Sequence, residues 1–108
     1  MENYVVVDLE TTGLTPKRDR ILEIGAWKVE KGEFAAQFHC MVDPCMQIPE
    51  RITTLTGITD AMVEGQPKIG EAIRQFLDFA GDWPLLGHNL QFDYAFLVHA
   101  AVNEGLSF

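Results

Sequence analysis

The chain predicts an α/β fold: a mixed sheet made of an antiparallel three-strand meander plus a further strand, with helices packed on it. Three observations carry this. Residues 5–42 hold three strand-like runs separated by turn residues. From Pro49 onward the apolar residues recur at helical rather than alternate spacing. A short apolar run, Pro84–Gly87, then stands between two helical stretches and reads as a fourth strand.

Val5-Val6-Val7 opens the first strand, and three β-branched residues in a row read as buried on both faces. Thr11-Thr12-Gly13 ends it, with Gly13 expected at positive φ. Leu14–Arg20 is a polar turn into a second strand at Ile21–Glu30, where Leu22, Ile24 and Ala26 should share one side and Ile21, Glu23 and Gly25 the other. Lys31-Gly32 is a tight turn, so Phe34–Val42 returns antiparallel. Pro49 suits a first helical position for a short helix over Glu50–Thr56 that Gly57 stops. Thr59 caps a short turn through Met62. Ile69, Ala72, Ile73, Phe76, Leu77 and Ala80 line one face of a helix stopped by Gly81. Asn89 caps a last helix from Leu90 to about Asn103, and Gly105 stops it.

With 108 residues, of which 47% are hydrophobic, the chain suffices for one small domain with a packed core. It has no apolar run long enough to span a bilayer and no basic, apolar leader. These features predict a cytoplasmic protein with no membrane partner. Cys40 and Cys45, without further Cys or nearby His, read as free thiols. The net charge of −8 argues against a nucleic-acid partner, unless several acids ligate cations and so reverse the local sign.

Two acid clusters bear on that exception. Asp8 and Glu10 are two apart on a strand, so they point to the same side. Two such acids at a buried strand end repel each other, and a divalent cation removes the penalty; strand termination in water is the plainer alternative. Asp93 lies in the first turn of the last helix, where the helix dipole favours an anion. Yet it shares a face with Leu97 and Ala100, a core-facing row in which a carboxylate is costly unless paired or metal-bound.

Asp8-Leu9-Glu10-Thr11-Thr12-Gly13 resembles the first exonuclease motif of the DEDD superfamily, and His88-Asn89-Leu90-Gln91-Phe92-Asp93 resembles the second. Their order and spacing resemble the epsilon-type proofreading exonucleases of DNA polymerase III, with ribonuclease T and oligoribonuclease as relatives. The resemblance implies a ribonuclease H-like sheet and hydrolysis of phosphodiesters at a single-stranded 3′ end, DNA more than RNA. It implies two divalent cations, Mg²⁺ or Mn²⁺, suited to hard oxygen ligands. Asp8 would bridge both ions, Glu10 would hold the nucleophile-side ion and Asp93 the other. Thr11 and Thr12 would contact the terminal nucleotide through backbone and hydroxyl groups, and Leu14 and Phe92 would pack on its base. Core packing is the alternative for Leu14 and Phe92; His88 and Asn89 would shape the turn, with direct substrate contact as their other role. Glu23 reads as a buried structural acceptor. A DNA polymerase or a helicase would be the partner.

The family's third motif, a fourth metal-binding Asp preceded by a His or Tyr, has no counterpart in residues 94–108. His99 and Glu104 are five apart on one helix and so point apart. Residues 1–108 are therefore expected to be the N-terminal portion of a single exonuclease domain, truncated at the C-terminus, with little or no activity by itself and prone to self-association. A catalytically dead module that binds nucleic-acid ends or a polymerase is the alternative, as is a folding fragment with no activity.

Overall fold

The computed structural model describes residues 2–108. Three strands form first: β1 (Asn3–Thr11), β2 (Ile21–Glu30) and β3 (Glu33–Met41). Two short helices follow, α1 (Glu50–Thr56) and α2 (Asp60–Val63), then α3 (Ile69–Ala80), β4 (Leu85–Leu86) and α4 (Leu90–Asn103). The sheet order is β3-β2-β1-β4; β1–β2 and β2–β3 are antiparallel, and β4 runs parallel to β1. This is the mixed α/β sheet the sequence predicts. Among the described residues no helix is long and apolar enough to cross a membrane.

Alternation on β1 decides the layers. Val5, Val7 and Leu9 are buried, and with Ile24 and Ala26 of β2 they pack against Ile73 and Phe76 of α3 and Phe96 and Leu97 of α4. Each fully buried aliphatic or Phe side chain here contributes about 1.5–3 kcal/mol. Val6 is only half-buried, beside Trp27 on β2, so β1 is sealed on the helix side and not on both faces. The opposite face of β1 carries Asp8 and Glu10.

Strict alternation fails at the start of β2. Glu10 faces Glu23, but Thr11 faces Ile21, so Leu22 is an extra residue in a β-bulge. The bulge turns Ile21 to the main core beside Ile24, and Leu22 to a second cluster with Ile48, Ile52, Ile58 and Val63 under α1 and α2. The expected split of Leu22 from Ile21 therefore holds, but with the partners exchanged. Lys31 (φ 52°) and Gly32 (φ 82°) make the β2–β3 turn, a pairing of positive φ values that matches the twist of a hairpin. Pro49 is the residue before α1, at φ −56° and ψ 138°, rather than its first helical residue. Thr59 does cap α2, accepting from the Met62 N–H at 3.3 Å.

Gly13 is not among the residues at positive φ. A Cβ built there would stand 2.5 Å from the Asp19 carboxylate, so glycine is required by close approach and not by backbone conformation. Asp19 holds the loop shut by accepting from the Thr15 N–H at 2.9 Å and from the Thr12 hydroxyl at 3.3 Å. Cys40 is buried and Cys45 exposed, and both are free thiols.

Candidate active site

Val6, Asp8 and Glu10 project from the face of β1 opposite the helices. Asp8 is exposed and Glu10 half-buried. Asp93 comes from the other layer. On α4 the buried residues are Asp93, Phe96, Leu97, Ala100 and Ala101, a single helical face with the acid at its N-terminal end. The turn from β4 into α4 presses this end against β1: a Cβ on Gly87 would stand 3.0 Å from the Val7 carbonyl oxygen and 3.7 Å from Asp93 Oδ2. The absence of a side chain at Gly87 thus lets Asp93 lie alongside the Val7–Asp8 segment.

The electrostatics report this proximity. Asp93 is 5% exposed. Burial first, then the charges of Asp8 and Glu10, push its carboxyl up to about 6. Burial, then Asp8 and Glu23, raise Glu10. Asp8 and Glu10 of the sheet therefore stand near enough to Asp93 of the helix layer to resist its ionisation. They do not close into a ligand set: among the described residues no three His, Cys, Asp or Glu side chains are gathered tightly enough to enclose an ion. The donor chemistry, carboxylate oxygens only, fits a hard divalent ion.

The remaining predicted residues divide. Thr11 and Thr12 are buried and their hydroxyls are engaged within the loop. Thr11 donates to the Gly13 carbonyl at 2.6 Å, and Thr12 donates to Asp19 and accepts from the Arg20 N–H at 2.9 Å. In this arrangement the Thr12 hydroxyl faces the loop interior. Leu14 is 82% exposed, which removes core packing as its role. Phe92 is half-buried and packs at a tilt against Phe96 with ring centroids 4.9 Å apart, so for this residue core packing is observed. His88 and Asn89 are exposed. The Asn89 side chain makes no capping bond; at φ −129° and ψ 65° only its carbonyl serves, accepting from the Phe92 and Asp93 N–H groups at 3.1 Å.

Two features escape a reading of the sequence. Glu23 is not a buried acceptor but a half-exposed carboxylate facing Glu10, paired with His39 on β3. Its signal is the hairpin register, which alternation within one strand does not contain. The larger cavity, about 550 Å³, lies elsewhere, between the Pro16–Ile21 loop, Val42–Cys45, the start of α3 and the second half of α4. His99 and Glu104 line it, whereas Asp8, Glu10 and Asp93 do not, so cavity size alone points away from the acids.

Comparison with known proteins bears on the motifs and the fold together. A family model described as an exonuclease of the RNase T type matches residues 5–105. The chain belongs to this exonuclease family. It is 48% identical over 104 residues to a DNA polymerase III PolC-type from Clostridium perfringens, covering 96% of this chain and 7% of that protein. It is 43% identical over 94 residues to a DNA polymerase III subunit epsilon from Aquifex aeolicus, covering 87% of this chain and 46% of that one. The chain thus spans less than half the length of either relative. Among solved structures, exonuclease I superposes with a TM-score of 0.87 at 16% identity, covering 99% of this chain and 26% of that chain. At that identity the likeness speaks to the fold, and it is the exonuclease, ribonuclease H-like sheet that the motifs imply.

Proposed function

We propose that the chain carries a metal-dependent 3′–5′ exonuclease site acting on nucleic-acid ends, DNA first. The observation that carries this reading is the approach of Asp8 and Glu10 on β1 to Asp93 on α4, where burial and then the charges of Asp8 and Glu10 push the Asp93 carboxyl up to about 6. DNA is favoured because the relatives are DNA polymerase III proteins, which also makes a polymerase the natural partner. Asp8, Glu10 and Asp93 would hold Mg²⁺ or Mn²⁺, two ions in the family's manner, which when bound supply an activated water and stabilise the leaving oxygen. The bound charge also offsets the net −8 where an anionic substrate would sit.

The chain's own residues fix the frame for this chemistry. β1 holds Asp8 and Glu10 side by side on a rigid element, and α4 delivers Asp93 already desolvated. Leu14, exposed just past the first motif, offers apolar surface to a terminal base. Residues 94–108 contain no Asp, and His99 lines the remote cavity, so neither places a base beside the acids within these residues. A positioned base is worth about 10²–10⁴-fold, so turnover by these 108 residues is expected to be slow.

The test is Mn²⁺ uptake together with nucleotide release from a labelled single strand. Asp8-dependent uptake with slow 3′ release is the expected result. Equal uptake by wild type and Asp8→Ala would sink the site, and metal-dependent end binding with no cleavage would favour a binding module.

A further inference from the structure

We propose that His39 is a positioning residue for the acids of β1: by holding Glu23 toward β3, it keeps a competing carboxylate away from Glu10. The inference rests on the metal reading above. The strand register supplies the geometry. Across the sheet one row reads Asp8, Gly25, His39 and the next reads Glu10, Glu23, Met41. Glu10 and Glu23 are thus direct cross-strand neighbours, where like charges oppose each other at the closest side-chain spacing a sheet allows. Glu23 belongs to neither acid motif, yet it is placed to join any cation that Glu10 holds.

Its head group is turned toward β3, although its charge still reaches Glu10. His39 Nε2 bonds Glu23 Oε2 at 2.5 Å, diagonally across β2 and β3. Gly25, between Asp8 and His39, carries no side chain to block this diagonal; a Cβ there would meet the Trp27 ring at 3.3 Å. The pair is half-exposed, with His39 at 53% and Glu23 at 30% side-chain exposure, so as a simple ion pair it stabilises the fold little. Its distinctive consequence lies in where it leaves the Glu23 carboxylate.

The experiment uses the 108-residue chain with His39→Ala, His39→Gln and the double variant H39A/E23Q. Releasing Glu23 adds a carboxylate beside Glu10, so His39→Ala should bind Mn²⁺ more tightly by about tenfold, because affinity for a hard cation rises with the number of charged oxygen ligands. His39→Gln keeps a donor and should stay near wild type, and H39A/E23Q should return to it. Wild-type affinity in His39→Ala, or a double variant that stays shifted, would overturn the proposal. A second measurement needs no metal. In EDTA, His39→Ala should lower the melting temperature more in the wild-type background than with Glu10→Gln, where no like charge awaits Glu23. Equal losses would overturn the proposal. If the wild type takes up no Mn²⁺, the metal reading fails and the EDTA comparison alone judges His39.

Discussion

The Asp19 carboxylate occupies the space that a side chain at Gly13 would need: a Cβ on Gly13 would stand 2.5 Å from Asp19 Oδ2. The same carboxylate receives the Thr15 N–H and the Thr12 hydroxyl, so the loop that follows Asp8 and Glu10 is built around it. Gly13→Ala should therefore destabilise by about 1–3 kcal/mol through overpacking. Thermal unfolding of Gly13→Ala, Asp19→Ala and the double variant checks this. The double loss should be smaller than the sum, because both changes act on one contact; strict additivity would contradict it.

A second prediction concerns pH. Asp93 has its folded pKa raised from 3.8 to about 6, so between those values the folded state binds more protons than the unfolded state. Stability of the metal-free protein should fall as pH rises through that window, by up to about 3 kcal/mol at 1.36 kcal/mol per unit. Asp93→Asn should remove most of the slope and be the more stable protein at pH 8. Urea titrations at pH 4.5 and 8 would reveal it, and parallel pH profiles for the two proteins would count against it.

Cations should reverse that penalty. A ligand that binds only the folded state stabilises it by about 2.7 kcal/mol at a hundredfold excess over its Kd. Mn²⁺ is expected to raise the melting temperature of wild type at pH 8 and not that of Asp8→Ala or Asp93→Asn. Uptake should weaken as pH drops below about 6, where the Asp93 carboxyl takes up its proton. An equal Mn²⁺ effect on all three proteins would dismiss the three-acid site.

The edge at β4 bears on assembly. β4 is two residues long and among the described residues pairs with β1 alone, beside a groove of about 480 Å³ lined by Phe76, Leu77, Trp83, Leu90, Tyr94 and Phe108. An unpaired edge next to apolar surface invites a second chain. We expect concentration-dependent self-association in sedimentation velocity, reduced by Tyr94→Lys. A monomer at every accessible concentration would refute it.

In the core, Phe76 is wholly buried and meets Phe38 with ring centroids 6.2 Å apart. Phe76→Ala should cost about 3–5 kcal/mol. Chemical denaturation would read this directly, and a loss under 1 kcal/mol would mean that the α3–sheet interface is loosely packed.

The sequence by itself determined whatever depends on neighbours along the chain. β2 over Ile21–Glu30 and α3 over Ile69–Ala80 follow from local periodicity and from the turn residues that bound them. The common side of Asp8 and Glu10 follows from the two-residue period of a strand, and the two acid motifs announce the family before any contact is known. Tertiary structure decided what depends on register and close approach. The bulge at Leu22 exists because Thr11 pairs with Ile21 while Glu10 pairs with Glu23, a relation between two strands. Gly13 and Gly87 are glycines because Asp19 and the Val7 carbonyl come near them in space. Asp93 meets Asp8 only because α4 is packed on the sheet, and the resulting burial and repulsion set its pKa. Periodicity is a property of one segment, whereas register, approach and desolvation arise only when segments meet, so no single stretch of sequence contains them.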